Sequence, residues 1–263
     1  MHDEANNIIS EWKPLFELRP IEQNISDMGY KRDPIEVTVR ENEIWWRINQ
    51  ERFFMPVPPF FDTRIGFFNN YNHGEFFSGI KRTERTDPFE DVSDYSENTE
   101  TSKIIEGNYC LMFDSGSYAI AVSNLMHMGL GLFKIIRIDE NLTIEVLYDN
   151  DTFEHHTHLE YAGSFKRGND WYVIGRGLKQ FVKSDDGFST AFDDSLLFKI
   201  SENGEFKIIK SWKMDISSPN SYVVVGNHIY YGQNHMVTRL DLLTGKTDYF
   251  TNKSDSEIRE LQS

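Results

Sequence analysis

The stretch "EHHTHLE" sets His156 and His158 two residues apart, so on a strand their imidazoles face the same way and could share a zinc or iron ion, with Glu154 or His155 beside them. No second His or carboxylate pair completes such a site, His127 and His235 being merely available on other loops. The cluster therefore reads as polar loop, with a metal at His156 and His158 as the alternative. Asp62, Glu75 and Asp114 are carboxylates of the kind a glycosidase needs as a pair at a set separation, but none lies in a surrounding motif. Cys110 sits in the apolar run "YCLMF", where a buried structural thiol is expected rather than a nucleophile. No Gly-x-Ser-x-Gly, phosphate loop or dinucleotide fingerprint occurs, and "VIGRG" reads as a strand end. Neither a catalytic set nor a cofactor is expected.

The densest chemistry is charge. Residues 83–102, "TERTDPFEDVSDYSENTETS", hold the carboxylates Glu84, Asp87, Glu90, Asp91, Asp94, Glu97 and Glu100 against one cation, Arg85. Over the 263-residue chain, 42 acidic and 27 basic residues give a formal charge of -15. That balance opposes binding to nucleic acid or an anionic membrane, both of which require cations, and favours a basic protein partner. With one cysteine no intrachain disulfide can form. "MHDEANNIISEW" lacks the basic and apolar segments of a signal peptide, and no apolar run reaches transmembrane length, so a cytoplasmic protein is expected.

The elements that carry these residues read as short strands. Aromatic residues make up 14% of the chain and fall in alternating runs that suit a pleated, half-buried surface. From residue 36 one arrangement recurs about four times: strand, turn, strand, longer loop, hairpin. The hairpins are expected to turn at Asn72–Gly74, Glu140–Asn141, Asn203–Gly204, Gly226–Asn227 and Thr244–Gly245. The expected fold is all-β, a small β-propeller of four to five four-stranded antiparallel blades forming one domain over residues 1–263. Residues 1–35 would help complete a blade, and residues 251–263 would be a tail with a helical turn capped by Ser254 or Asp255. The last unit, with "LDLLTGKTDYF", resembles blades of the kelch and quinoprotein type in its Asp-x-x-Thr-Gly turn.

Read as a crossover between blades, the acidic stretch would share one face with the other long loops. The expected partner-binding set is then Glu84, Asp87, Phe89, Glu90, Asp91, Asp94, Tyr95, Glu97, Asp151, Glu154, Asp185, Asp186, Phe188, Asp193 and Asp194, aromatic anchors among charges. In this character the chain resembles the immunity proteins of bacterial toxin systems of the contact-dependent growth inhibition type. That resemblance implies a stoichiometric inhibitor covering the active site or substrate groove of a basic nuclease toxin. A propeller hydrolase of the glycosidase or lactonase class, using channel carboxylates, and a scaffold module are the alternatives.

Overall fold

The computed structural model describes residues 10–26, 33–49, 58–72, 78–83, 104–127, 130–150, 159–184, 187–214, 216 and 219–262. The chain divides into two compact units, Met1–Met55 with Lys213–Ser263, and Pro56–Trp212.

The first unit opens with β1 (Lys13–Pro14), a 3-10 turn at Leu15–Glu17, β2 (Arg19–Ile21), β3 (Ile35–Arg40) and β4 (Glu43–Ile48). Strand β4 lies between β1 and β3 in a three-stranded sheet. Period-two alternation decides its faces: Ile35, Val37, Ile44 and Trp46 are buried, while their neighbours are more exposed. Glu41 and Asn42 both have positive φ, the geometry that lets a two-residue turn match the twist of β3 and β4.

The second unit contains β5 (Phe60–Thr63), β6 (Gly66–Asn72), β7 (Ser78–Thr83) and β8 (Ile104–Glu106) in one sheet. A second sheet follows from β9 (Tyr109–Ser115), β10 (Tyr118–His127), β11 (Leu130–Ile138) and β12 (Ile144–Asp149). The third is β13 (Leu159–Arg167), β14 (Asp170–Gly177), β17 (Asp194–Ile200) and β18 (Phe206–Lys213), interrupted by the hairpin β15 (Lys179–Ser184) and β16 (Gly187–Phe192). One core binds the first two sheets through Phe61, Phe68, Ile80, Tyr109, Ala121 and Ile138. Phe133 and Phe198, both fully buried, stack 5.6 Å apart, each worth roughly 1.5–3 kcal/mol of transfer free energy.

The chain then returns to the first unit as β19 (Ser221–Val225), β20 (His228–Gly232), β21 (Val237–Asp241), β22 (Thr247–Thr251) and α1 (Asp255–Gln262). Strand β2 pairs with β22 as the fifth strand of this sheet, so residues near the start of the chain hold the last strand. The Asp-x-x-Thr-Gly turn behaves as its chemistry requires. Asp241 accepts backbone N–H bonds from Leu243 and Thr244, and Gly245 takes φ +78°. Helix α1 begins with a capping box, in which Ser254 Oγ accepts from Glu257 N–H and Glu257 Oε2 accepts from Ser254 N–H.

The fold class matches expectation: all-β, with antiparallel sheets built like propeller blades. Three groupings differ. The runs at residues 36–48 do not open the sheet of residues 60–106; they pair with β1 instead. The loop at residues 179–192 is a hairpin, Ser184 facing Gly187 across two residues. The acidic stretch is not a crossover, because β7 and β8, which flank it, are antiparallel partners with Gly79 opposite Glu106 and Lys81 opposite Ile104. The true crossover to the next sheet is the dipeptide Gly107–Asn108.

Candidate functional site

Strand direction sorts the connections of the second unit into two ends. At one end lie the β5–β6 turn, the β9–β10 turn, the β11–β12 turn, the β13–β14 turn and the β17–β18 turn. At the other lie the β6–β7 and β10–β11 connections, the segment after β12, and the β15–β16 hairpin.

The turn end is stitched by hydrogen bonds between sheets. Arg64 donates its backbone N–H to Asp114 Oδ1 (2.8 Å) and Nη1 to the Gly116 carbonyl (3.2 Å). Arg82 Nη1 reaches the Glu140 carbonyl, Ser115 Oγ the Ser201 carbonyl and Arg137 Nη1 the Gly204 carbonyl, at 2.7, 2.7 and 3.1 Å. Asp139 accepts from the N–H groups of Asn141 and Thr143, chiefly the latter, and these bonds hold its carboxyl below the usual range. Into this end runs the acidic stretch: Thr83, its last preceding strand residue, lies opposite Phe67, beside the β5–β6 turn.

The connections expected to share one acidic face leave the described strands at two different ends. Glu84, Asp87, Phe89, Glu90, Asp91, Asp94, Tyr95 and Glu97 lie outside the described residues, but the strands that bracket them place their entry and exit at the turn end. Asp151, Glu154, Asp185 and Asp186 also lie outside the described residues, on segments that leave strands at the opposite end. Phe188 is in β16, its backbone paired with Lys183. The physical reason is parity. An antiparallel hairpin reverses the chain once, so a connection within the sheet emerges at the opposite end from one taken a strand earlier or later.

At the loop end, Asp193 and Asp194 form the root where the hairpin rejoins β17. Asp193 donates its N–H to the Leu178 carbonyl, and Asp194 Oδ2 accepts from Ser211 Oγ at 2.8 Å. Gly177 is required there, since a Cβ would stand 1.9 Å from the Asp193 carbonyl oxygen. Nearby on β12, Asp149 meets Lys134 Nζ at 2.9 Å. Burial, reinforced by the charges of Asp149 and Asp193, pushes the Tyr148 phenol up to about 12.

A feature the sequence reading missed is the buried pair of Glu160 and Arg176, opposite in register on β13 and β14, with Arg176 Nε donating to Glu160 Oε2 at 2.7 Å. A charge of each sign within the neighbouring apolar runs "HLEYAG" and "YVIGRG" was the available signal. Burial, with a further push from Glu160, raises the Cys110 thiol, the opposite of what an attacking thiolate needs. Of the candidate hydrolytic carboxylates, Asp62 is exposed on β5, Asp114 caps Arg64, and Glu75 lies outside the described residues.

Among the described residues no group of three or more His, Cys, Asp or Glu side chains is placed to hold a metal ion. His155, His156 and His158 lie outside them; His127 ends β10, and His235 is buried in the other unit, 3.6 Å from Asp33. No described helix is long and apolar enough to cross a membrane.

No family model matches the sequence, and no curated protein matches it. Among solved structures, the AfRom2 CNH domain is similar at 10% identity and a TM-score of 0.29, over 93% of this chain and 90% of that one.

Proposed function

We propose that this protein is an acidic binding module that engages a basic protein through the segment between β7 and β8. The supporting observation is topological. Two adjacent strands that a turn of two to five residues would join are instead separated by residues 84–103, with seven carboxylates and two cations, Arg85 and Lys103. Folding alone does not require that length, and like charges concentrated in one connection repel each other. A basic surface relieves the repulsion and gains fast, electrostatically steered association. Phe89 and Tyr95, interspersed among the acids, would supply apolar anchors that slow dissociation.

In its most specific form the reading is an immunity protein of a contact-dependent growth inhibition system, acting in the bacterial cytoplasm. Its carboxylates would stand in for phosphates against the Lys and Arg residues of a nuclease toxin and cover its substrate groove. Asp151, Glu154, Asp185, Asp186, Phe188, Asp193 and Asp194, at the other end of the unit, would then serve a second contact or solubility. Co-expression with a cognate basic nuclease is the test. A stoichiometric complex that dissociates with rising salt and lacks nuclease activity supports the reading. Persistence of nuclease activity in a formed complex contradicts the inhibitor role.

A further inference from the structure

The outer face of the three-stranded sheet in the first unit carries a pattern that the acidic reading does not use. Trp12 precedes β1, Trp45 and Arg47 lie on β4, and Arg40 ends β3. The Arg47 guanidinium sits 4.5 Å from the Trp12 ring centroid, and the Arg40 guanidinium sits 4.7 Å from that ring and 5.8 Å from the Trp45 ring. Both arginines are thus held by indoles, yet their N–H edges differ. Arg47 gives Nε and Nη2 to Glu36 Oε2 at 2.8 and 2.7 Å. Arg40 is exposed and has no carboxylate partner among the described residues, although Glu43 stands opposite it in register.

A guanidinium whose faces rest on aromatic rings keeps its five in-plane donors for a ligand, and the stacking removes rotamer freedom that would otherwise be lost on binding. The complementary group is a planar or tetrahedral oxyanion able to accept two parallel N–H bonds. From this geometry we propose that Arg40, positioned by Trp12 and Trp45, is a receptor for a single oxyanion, a carboxylate or a phosphate group. The site is independent of the acidic segment and of the function proposed for it. It also works against the field of a chain with formal charge -15, which repels anions, so saturable anion binding would have to be local.

The experiment is a titration of the full chain with sodium acetate and, separately, with inorganic phosphate at constant ionic strength and pH. It is followed by the arginine Nε–H and tryptophan indole N–H signals in two-dimensional NMR. The expected result is a saturable shift of the Arg40 and Trp12 signals with at least one of the two anions, while Arg47 Nε–H, already bonded to Glu36, stays in place. Saturation by acetate alone identifies a carboxylate site, and saturation by phosphate alone identifies a phosphate site. Arg40→Lys, which keeps the charge and discards the fork, should weaken binding by about tenfold or more. Trp12→Leu should weaken it while the remaining indole signals report an intact fold. Linear, unsaturated shifts with both anions, or equal affinity in Arg40→Lys, would overturn the proposal.

Discussion

The two ends of the second unit differ in what their connections bond to. At the turn end, short connections spend their polar groups on one another: Arg64 on Asp114, Arg82 on Glu140, Ser115 on Ser201, Arg137 on Gly204. The same end also receives the most acidic connection of the chain, residues 84–103. At the loop end, Glu160 and Arg176 are instead buried inside a sheet, Asp193 and Asp194 fix the root of a hairpin, and Asp149 pairs with the part-exposed Lys134. If residues 84–103 bind a partner as proposed, a rim of tight turns would be a suitable base for them, because the paired strands β7 and β8 fix both ends of the segment. On the proposed function, the unit would separate charge that is buried and paired, as in Glu160 and Arg176, from charge inserted for recognition.

The largest effect should come from the buried pair. Glu160→Gln or Arg176→Met, measured by the denaturation midpoint, should each cost about 3–5 kcal/mol, since each leaves one buried partner uncompensated. The double replacement Glu160→Leu with Arg176→Met should recover most of that loss. A double variant as unstable as the worse single one would show that the pair is not the cause.

Replacing residues 84–103 by a four-residue turn should instead raise stability, by about 1 kcal/mol from loop closure alone. A fall in stability would mean that the segment contributes to the fold, and would weaken its assignment to recognition. At the turn end, Ser115→Ala should cost about 1 kcal/mol by removing the bond to the Ser201 carbonyl.

The smallest effects are in pH dependence, and they separate the two ends. Asp139, at the turn end, has a lowered pKa, so its contribution is present above the usual carboxylate range and is lost as pH falls through its folded value. Tyr148, at the loop end, has a raised pKa of about 12, so its contribution is full below the unfolded value and is lost as pH rises towards 12. Stability profiles should therefore show Asp139→Asn blunting the acid limb and Tyr148→Phe the alkaline limb. Exchange of those outcomes would refute both causes.

Local chemistry was legible in the sequence. The turns at Asn203–Gly204, Gly226–Asn227 and Thr244–Gly245 fall where glycine at positive φ permits them, and Ser254 caps α1 as its spacing to Glu257 implies. Grouping of strands into sheets was legible for β9–β12, for β13, β14, β17 and β18, and for β19–β22, but not for β3 and β4, because a hairpin signal reads the same whether the next strand stays in the sheet or starts another. Strands β1 and β2 are two and three residues long and contain Pro14 and Pro20, so alternation had nothing to act on. The hairpin of β15 and β16 did carry a turn signal, Asp-Asp-Gly at 185–187, hidden by its length as a loop. For the site, charge was visible and its placement was not: the end at which residues 84–103 emerge depends on the three-residue strand β8, whose pairing with β7 is a long-range fact.

The most direct test of the central claim compares the wild-type chain with the variant Asp87→Asn, Glu90→Gln, Asp91→Asn, Asp94→Asn as bait in native host lysate at low salt, eluted by a salt gradient. The account predicts a basic protein that the wild type releases only at high salt and that the variant fails to retain. Retention of the same protein by both baits, with the same elution, would contradict it.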